Sequence, residues 1–503
     1  MVQLRQAAKD VALIGGPLLI FIAVWAFRWL SMGAVENDHF VSLARAHQVL
    51  HGDWPVRDFA DPGQPLTYLT SAAAGWLFGP SLLGDVALSV TLLSFGAALT
   101  YILAARASGS LLIAVAAAGM EVIVAPRLYN AGKILIPLAA IGFGWRYADS
   151  PSVRRLTALA AWTAIAGLWR HDLMIYVAVP TLVMLTLCHE RQRAVRRAAL
   201  YAALTAAFLL PWLIYVQWAG GIVDYAAAAL RFAATEARRT VVWPAEAHAT
   251  FAAVVAIPLI AAWLARRSDE RLSFVHVAFA ALMALAADLT LLRDVIATRL
   301  PDVIGLTAVL AAFIAGRTIP TRVIQTAGAV ALLIVILLVS ARLASQGYGV
   351  PTPGKVVRRF ASVARMLQQE TPEVIPNRER LPLIRYLATC TPAESRVLVS
   401  GFGPELPVLA RRPFAAGLPS WIPGYHTHPD DVQRAIARLT REPVSMAVML
   451  EGSAVFVDEW PQLAAELRAR NMVERTWRID ETDLVVWIPV DVASRAPDAP
   501  PTC

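Results

Sequence analysis

The stretch Val35–Pro65, VENDHFVSLARAHQVLHGDWPVRDFADPGQP, carries an unusual density of side chains able to do chemistry. Glu36, Asp38 and His39 stand almost together, and Arg45, Asp53, Arg57, Asp58 and Asp61 follow. A carboxylate held against a hydroxyl or amine can take its proton as that oxygen or nitrogen forms a new bond. Cations placed to meet it would stabilise the negative charge that develops on a departing phosphate. Arg127, Tyr129 and Lys133, then Arg170-His171-Asp172, then Arg293, could supply that second half. Plainer roles fit the same spacing. Glu36 and Asp38 could cap the helix read over His39–Leu50, and Arg170 with Asp172 could be a local ion pair. Asp58 and Asp61, set among prolines and a glycine in Trp54–Pro65, read as the frame of the loop rather than its reagent.

The elements that must hold these residues are oily. Of 503 residues 57% are hydrophobic and 16% charged, whereas a soluble domain carries roughly 25% charged residues. A spanning helix needs about 20 apolar residues, and by that measure about eleven spans are expected. They fall near 11–33, 84–105, 110–125, 132–148, 156–169, 172–188, 197–219, 249–264, 272–292, 302–316 and 321–343. Leu66–Pro80 is too short to span comfortably and reads as a helix lying at the interface or re-entering. The first run is too long, and lacks the small-residue cleavage site, for a removable signal peptide.

Arginines set the orientation. The segments holding Arg5 and Lys9, Arg106, Arg146 with Arg154 and Arg155, Arg191 to Arg197, Arg266 to Arg271, and Arg317 with Arg322 alternate with Val35–Pro65, Arg127–Lys133, the Arg170-His171-Asp172 corner, Gly220–His248 and Leu292–Pro301. Short basic loops are cytoplasmic, so the N-terminus is expected inside and Val35–Pro65 outside. An odd number of spans then puts the C-terminal portion outside too. The net charge of +8 follows from this topology, with no need of nucleic acid. Charges near lipid usually face a cavity or one another, so the acids and cations are expected to converge on one outward-facing polar cavity. Glu121, inside a short apolar span, is either a functional acid or an ion partner of Lys133 or Arg127.

Composition changes after Arg342. Residues 1–345 read as the membrane domain, with its first external loop over 34–83; 346–375 is a linker with helical spacing, 376–493 a small external α/β domain, and 494–503 a Pro/Ala-rich disordered tail. Within the small domain, Arg396–Ser400, Ser445–Leu450 and Leu484–Pro489 have the pattern of buried strands, and Pro429–Thr440 and Pro461–Asn471 that of helices. His426 and His428 beside Asp430 and Asp431 resemble a metal clip without a firm third ligand, and a solvated loop is the better reading. Cys188, Cys390 and Cys503 have no metal spacing, though Cys390 and Cys503 could bridge.

Glu36-Asn37-Asp38 after the first span, Gly52-Asp53-Trp54-Pro55…Arg57-Asp58-Phe59, and Pro65-Leu66…Tyr68 together resemble the GT-C superfamily of membrane glycosyltransferases. The likeness is to the group holding the protein O-mannosyltransferases and the lipid A aminoarabinose and galacturonic acid transferases. Arg127…Tyr129…Lys133 and Arg170-His171-Asp172 add to it, and it covers residues 1–345. The resemblance implies a polytopic α-helical membrane protein with a periplasmic α/β domain, set in a bacterial inner membrane. It implies inverting transfer from a polyprenyl-phosphate sugar to a lipid, glycan or protein acceptor of the cell envelope. Asp38 matches the catalytic acid, with Glu36 beside it; many relatives have two adjacent acids, and here Asn37 separates them. The donor phosphate would meet Lys133, Arg127, Arg170 and Arg293, with His39, Arg57, Asp58, Asp61, Tyr129, His171 and Asp172 in support. The tryptophan-rich signature of oligosaccharyltransferases is absent, which argues against asparagine glycosylation. The resemblance implies no definite cofactor; a divalent cation could assist, at ligands the sequence does not identify. The competing readings are a transporter or flippase of lipid-linked intermediates and a non-catalytic envelope sensor. A transporter would place polar residues near the bilayer midplane, whereas here they crowd the outer ends of the spans.

Overall fold

The computed structural model describes residues 2–124, 126–238, 244–268, 270–293, 296–345, 353–479 and 482–494. Every predicted span is a helix: Val2–Leu30, Leu82–Ser108, Leu111–Val124, Ala131–Asp149, Val153–Trp169, His171–Cys188, Arg191–Ala219, Ala245–Arg266, Arg271–Asp288, Ile296–Thr318 and Thr321–Ser345. Among the described residues, six helices are long and apolar enough to cross a bilayer, and Gly15–Leu30, Leu111–Val124 and Thr326–Ala341 are shorter apolar runs. Pro137, Pro180, Pro211 and Pro258 lie inside helices. Such prolines persist in membrane helices because neighbouring groups can satisfy the freed carbonyls.

The chain divides into two compact units. The first comprises Met1–Met32, Val86–Trp212 and Arg239–Val363. It is a helical bundle whose core includes Leu138, Ile141, Leu159, Val177, Phe279, Val303 and Leu310. Small residues set how closely its helices approach. A Cβ on Gly132 would collide with the Trp169 indole, and one on Gly305 would collide with the Glu121 carboxylate.

The second unit is built from three chain segments, Gly33–Asp85, Leu213–Arg238 and Ala364–Cys503. Its centre is a four-stranded sheet: β1 (Arg396–Ser400), β2 (Val444–Met449), β3 (Met472–Ile479) and β4 (Thr482–Pro489), in the order β1-β2-β4-β3. β1 and β2 are parallel, and the other pairs antiparallel. Helix Pro429–Leu439 lies in the connection from β1 to β2, the crossover a parallel pair requires. The three predicted strands are present, and β3 is a fourth that the sequence reading did not include. It pairs with β4 alone at the sheet edge, and its alternation is half hidden by Glu474, Arg475 and Arg478. Leu398, Ala447, Met449, Trp421, Phe456, Trp460, Leu463 and Trp487 form the core of this unit.

The acid-rich loop belongs to this second unit. Gln48 bonds Phe414 through both main-chain groups, Asp53 pairs with Arg396 at 2.6 Å, and the Ala60 amide donates to the Gly417 carbonyl. Phe59 meets Phe414 edge-on at 5.9 Å. Cys390 is disulfide-bonded and Cys188 is a free thiol. Cys503, most of the predicted tail and the predicted Gly347–Pro353 hinge up to Thr352 lie outside the described residues.

Candidate active site

The first acids stand where an extended strand of chain turns into helix Asn37–Leu50. Glu36 is the N-cap, in extended conformation, and its side chain makes no capping hydrogen bond; Asp38 sits in the first turn. Both are exposed, while Phe40, Leu43, Ala44 and Ala46 on the same helix are buried. The helix therefore orients itself by its apolar face and leaves the two carboxylates at its start in the open. His39 is buried and pairs through Nε2 with Asp85, which also accepts from Ser71. That contact ties the helix start to Asp85 and to helix Pro65–Phe78, all within the second unit.

The other loop acids have structural partners. Asp58 forms an ion pair with Arg57 at 2.6 Å and accepts from the Trp54 amide at 2.7 Å. These contacts hold its carboxyl below the usual range even against the opposing effect of burial. Asp61 is buried; Oδ1 accepts from the amides of Gly63 and Gln64, and Oδ2 from the Tyr225 hydroxyl at 2.6 Å.

The cations belong to the first unit. Lys133, in the first turn of helix Ala131–Asp149, places Nζ 3.0 Å from Asp302 Oδ2, and Arg299 lies 4.0 Å from the same oxygen. Arg170 grips Asp172 with both Nε, at 2.6 Å, and Nη2. Lys133 and Arg299 thus share the Asp302 carboxylate, and Arg170 pairs with Asp172. Arg127 donates to the Tyr129 hydroxyl at 2.6 Å, its guanidinium 5.9 Å from the ring centre. His171 opens helix His171–Cys188, and the side chain of Arg293 lies outside the described residues. Glu121 is buried and accepts from Thr100 Oγ1; Lys133, one of its two expected ion partners, instead belongs to Asp302.

Several participants were not foreseen from sequence. Asp302 was absorbed into an apolar run, although an acid directly after Pro301 at the outer end of a span was the available signal. Asp85 was hidden in the same way. Tyr225 and Arg231 lie on helix Ile222–Ala237, within the Gly220–His248 stretch expected outside the membrane. His428 accepts from the Asp430 amide as the N-cap of helix Pro429–Leu439. Among the described residues, no group of three or more His, Cys, Asp or Glu side chains is placed to hold a metal ion.

The chain is a multi-pass membrane protein with a fold of the GT-C kind. Within that fold it is similar to ArnT from Cupriavidus metallidurans. The crystal structure of that protein bound to undecaprenyl phosphate matches with a TM-score of 0.56 at 15% identity, covering 95% of this chain and 98% of that one. Its apo state matches with a TM-score of 0.52 at 14% identity, covering 96% and 98%. No family model matches the chain, and no curated protein does.

Proposed function

We propose that this protein is an inverting glycosyltransferase that moves a sugar from a polyprenyl-phosphate donor to a cell-envelope acceptor at the outer face of the inner membrane. The observation that carries this reading is the fold shared with ArnT along nearly the whole of both chains, in a relative whose structure holds undecaprenyl phosphate. Asp38 is the base, with Glu36 beside it: its carboxylate takes the acceptor proton as the acceptor oxygen or nitrogen bonds to the sugar's anomeric carbon. The bond from that carbon to the phosphate oxygen breaks, and polyprenyl phosphate leaves with the electron pair. Lys133, Arg127, Arg170 and Arg293 stabilise the charge on the phosphate, and Tyr129, His171 and Asp172 orient them. His39, Arg57, Asp58 and Asp61 keep the acid loop in shape. A divalent cation could share the phosphate's charge.

The same reading gives eleven spans with the N-terminus cytoplasmic, supported by the alternation of basic loops. Residues 1–345 are then the catalytic domain, with its external loop over 34–83, 346–375 the linker and 376–493 the periplasmic domain. The test is to incubate purified protein with a panel of polyprenyl-phosphate sugars and measure released polyprenyl phosphate. Release with one or more of them is expected; none with any sugar, in the presence of envelope extract as acceptor, would overturn the proposal.

A further inference from the structure

The second unit encloses a cavity of about 400 Å³ that none of the proposed phosphate-binding cations lines. Its size lies within the roughly 300–1,000 Å³ of small-ligand sites. Arg45, Arg231, Arg238, Arg434 and Arg438 line it, and they outnumber the aspartates there. Those aspartates are largely engaged. Asp61 is filled by two amides and Tyr225, and Asp431 accepts from Arg231 at 3.2 Å and Arg434 at 2.5 Å. Arg45, buried to 7% exposure, donates to the carbonyls of Val41 and Ala60, and Arg438 to that of Val56; neither meets a carboxylate in an ion pair among the described residues.

Aromatic faces complete the lining: Phe232 stacks on His426 with ring centres 6.2 Å apart, and Trp421 stands edge-on to the same imidazole. Burial holds His426 down at about 4, so it presents a neutral ring at physiological pH. Guanidinium forks suit phosphate and carboxylate oxygens, and the flat rings suit the apolar face of a sugar.

We propose that this cavity binds a saccharide unit carrying a phosphate or carboxylate, its anion held by Arg45, Arg231 and Arg438 and its ring set against Phe232. The binding stands on the second unit alone; that the occupant is part of the acceptor glycan rests on the transferase reading above.

The test titrates full-length protein in detergent, by calorimetry at low ionic strength, with glucose 1-phosphate, galacturonate, glucose and inorganic phosphate. Glucose 1-phosphate, galacturonate or both should bind at least about tenfold more tightly than glucose or phosphate, and which of them binds identifies the anion. Arg438→Gln should weaken that binding by about tenfold, the loss expected for one hydrogen bond to a charged group. Should that variant unfold, Phe232→Leu reads the ring contact and should weaken the sugar but not phosphate alone. The proposal fails if glucose matches its anionic counterparts, if phosphate matches the sugar phosphate, or if none binds at about 10 mM, a weak but measurable affinity. Polyprenyl phosphate release on the same preparations separates the two claims: binding without release leaves the cavity and removes the transferase, and release without binding does the reverse.

Discussion

Lys133 Nζ lies 3.0 Å from Asp302 Oδ2, across 169 positions of sequence, and Arg299 stands 4.0 Å from the same oxygen. The pair is largely buried, with side-chain exposures of 14% and 4%. A buried pair contributes little net stability, but removing one member strands the other and costs about 3–5 kcal/mol.

Lys133→Ala and Asp302→Ala should each destabilise the protein by about 3 kcal/mol, and the double variant by clearly less than the sum. Denaturant unfolding in detergent measures this. Additive losses would show that the two side chains do not act as a pair.

Asp38→Asn should lower sugar transfer by about 10²–10⁴-fold, the range of general base catalysis, with protein level and melting temperature unchanged because the side chain is exposed. Transfer at the normal rate would remove Asp38 as the base.

Lys133→Ala and Arg293→Ala should weaken use of the lipid donor, raising its KM or lowering kcat/KM by tenfold or more, as loss of about 1.5–3 kcal/mol of charged hydrogen bonding requires. Steady-state kinetics against donor concentration decides it. Unchanged donor kinetics in both variants would take these cations out of the phosphate site.

His47, buried on helix Asn37–Leu50, has its pKa pushed down to about 4 by burial first and then by the charge of Arg411. Between pH 6.5 and about 4 the unfolded chain binds a proton there that the folded chain does not, so stability rises with pH across that window. Acidification from pH 7 to 4 should cost on the order of 3 kcal/mol at this residue. Thermal unfolding at a series of pH values, repeated with His47→Gln, should show a shallower acid loss in the variant. An identical slope would clear His47 of the effect.

Tyr225→Phe removes a 2.6 Å hydrogen bond to the Asp61 carboxylate. About 1.5–3 kcal/mol of stability should go with it, read as a lower denaturation midpoint. Asp61 would keep its two amide donors, so Asp61→Ala should be the worse of the two substitutions. Equal or reversed losses would show that the turn does not depend on that carboxylate.

Much of this was written in composition and periodicity. An apolar run of some twenty residues has few alternatives to a helix when its backbone must satisfy itself in lipid. The helices were therefore legible one by one, down to the short Leu111–Val124. The strands β1, β2 and β4 were legible because buried strands are short unbroken apolar runs. β3 was not, since an edge strand with one wet face needs no such run. Helix Ile222–Ala237 escaped for a related reason: its apolar residues are mostly alanines, in a stretch bounded by loops.

The sequence by itself determined the membrane helices, the clustering of acids and bases at their ends, and the exposure of Glu36 and Asp38 on a helix with an apolar face. Partners were decided only by tertiary structure. That Lys133 would meet Asp302, His39 would meet Asp85, and Asp61 would meet Tyr225 depends on which helices pack together, and ion pairs between distant positions leave no periodic trace. The joining of Gly33–Asp85 and Leu213–Arg238 to the sheet in one unit, with its arginine-lined cavity, has the same origin. Hydrophobic burial is non-directional and is written along the chain, whereas charge pairing is set by contacts that form only once the helices and strands have packed.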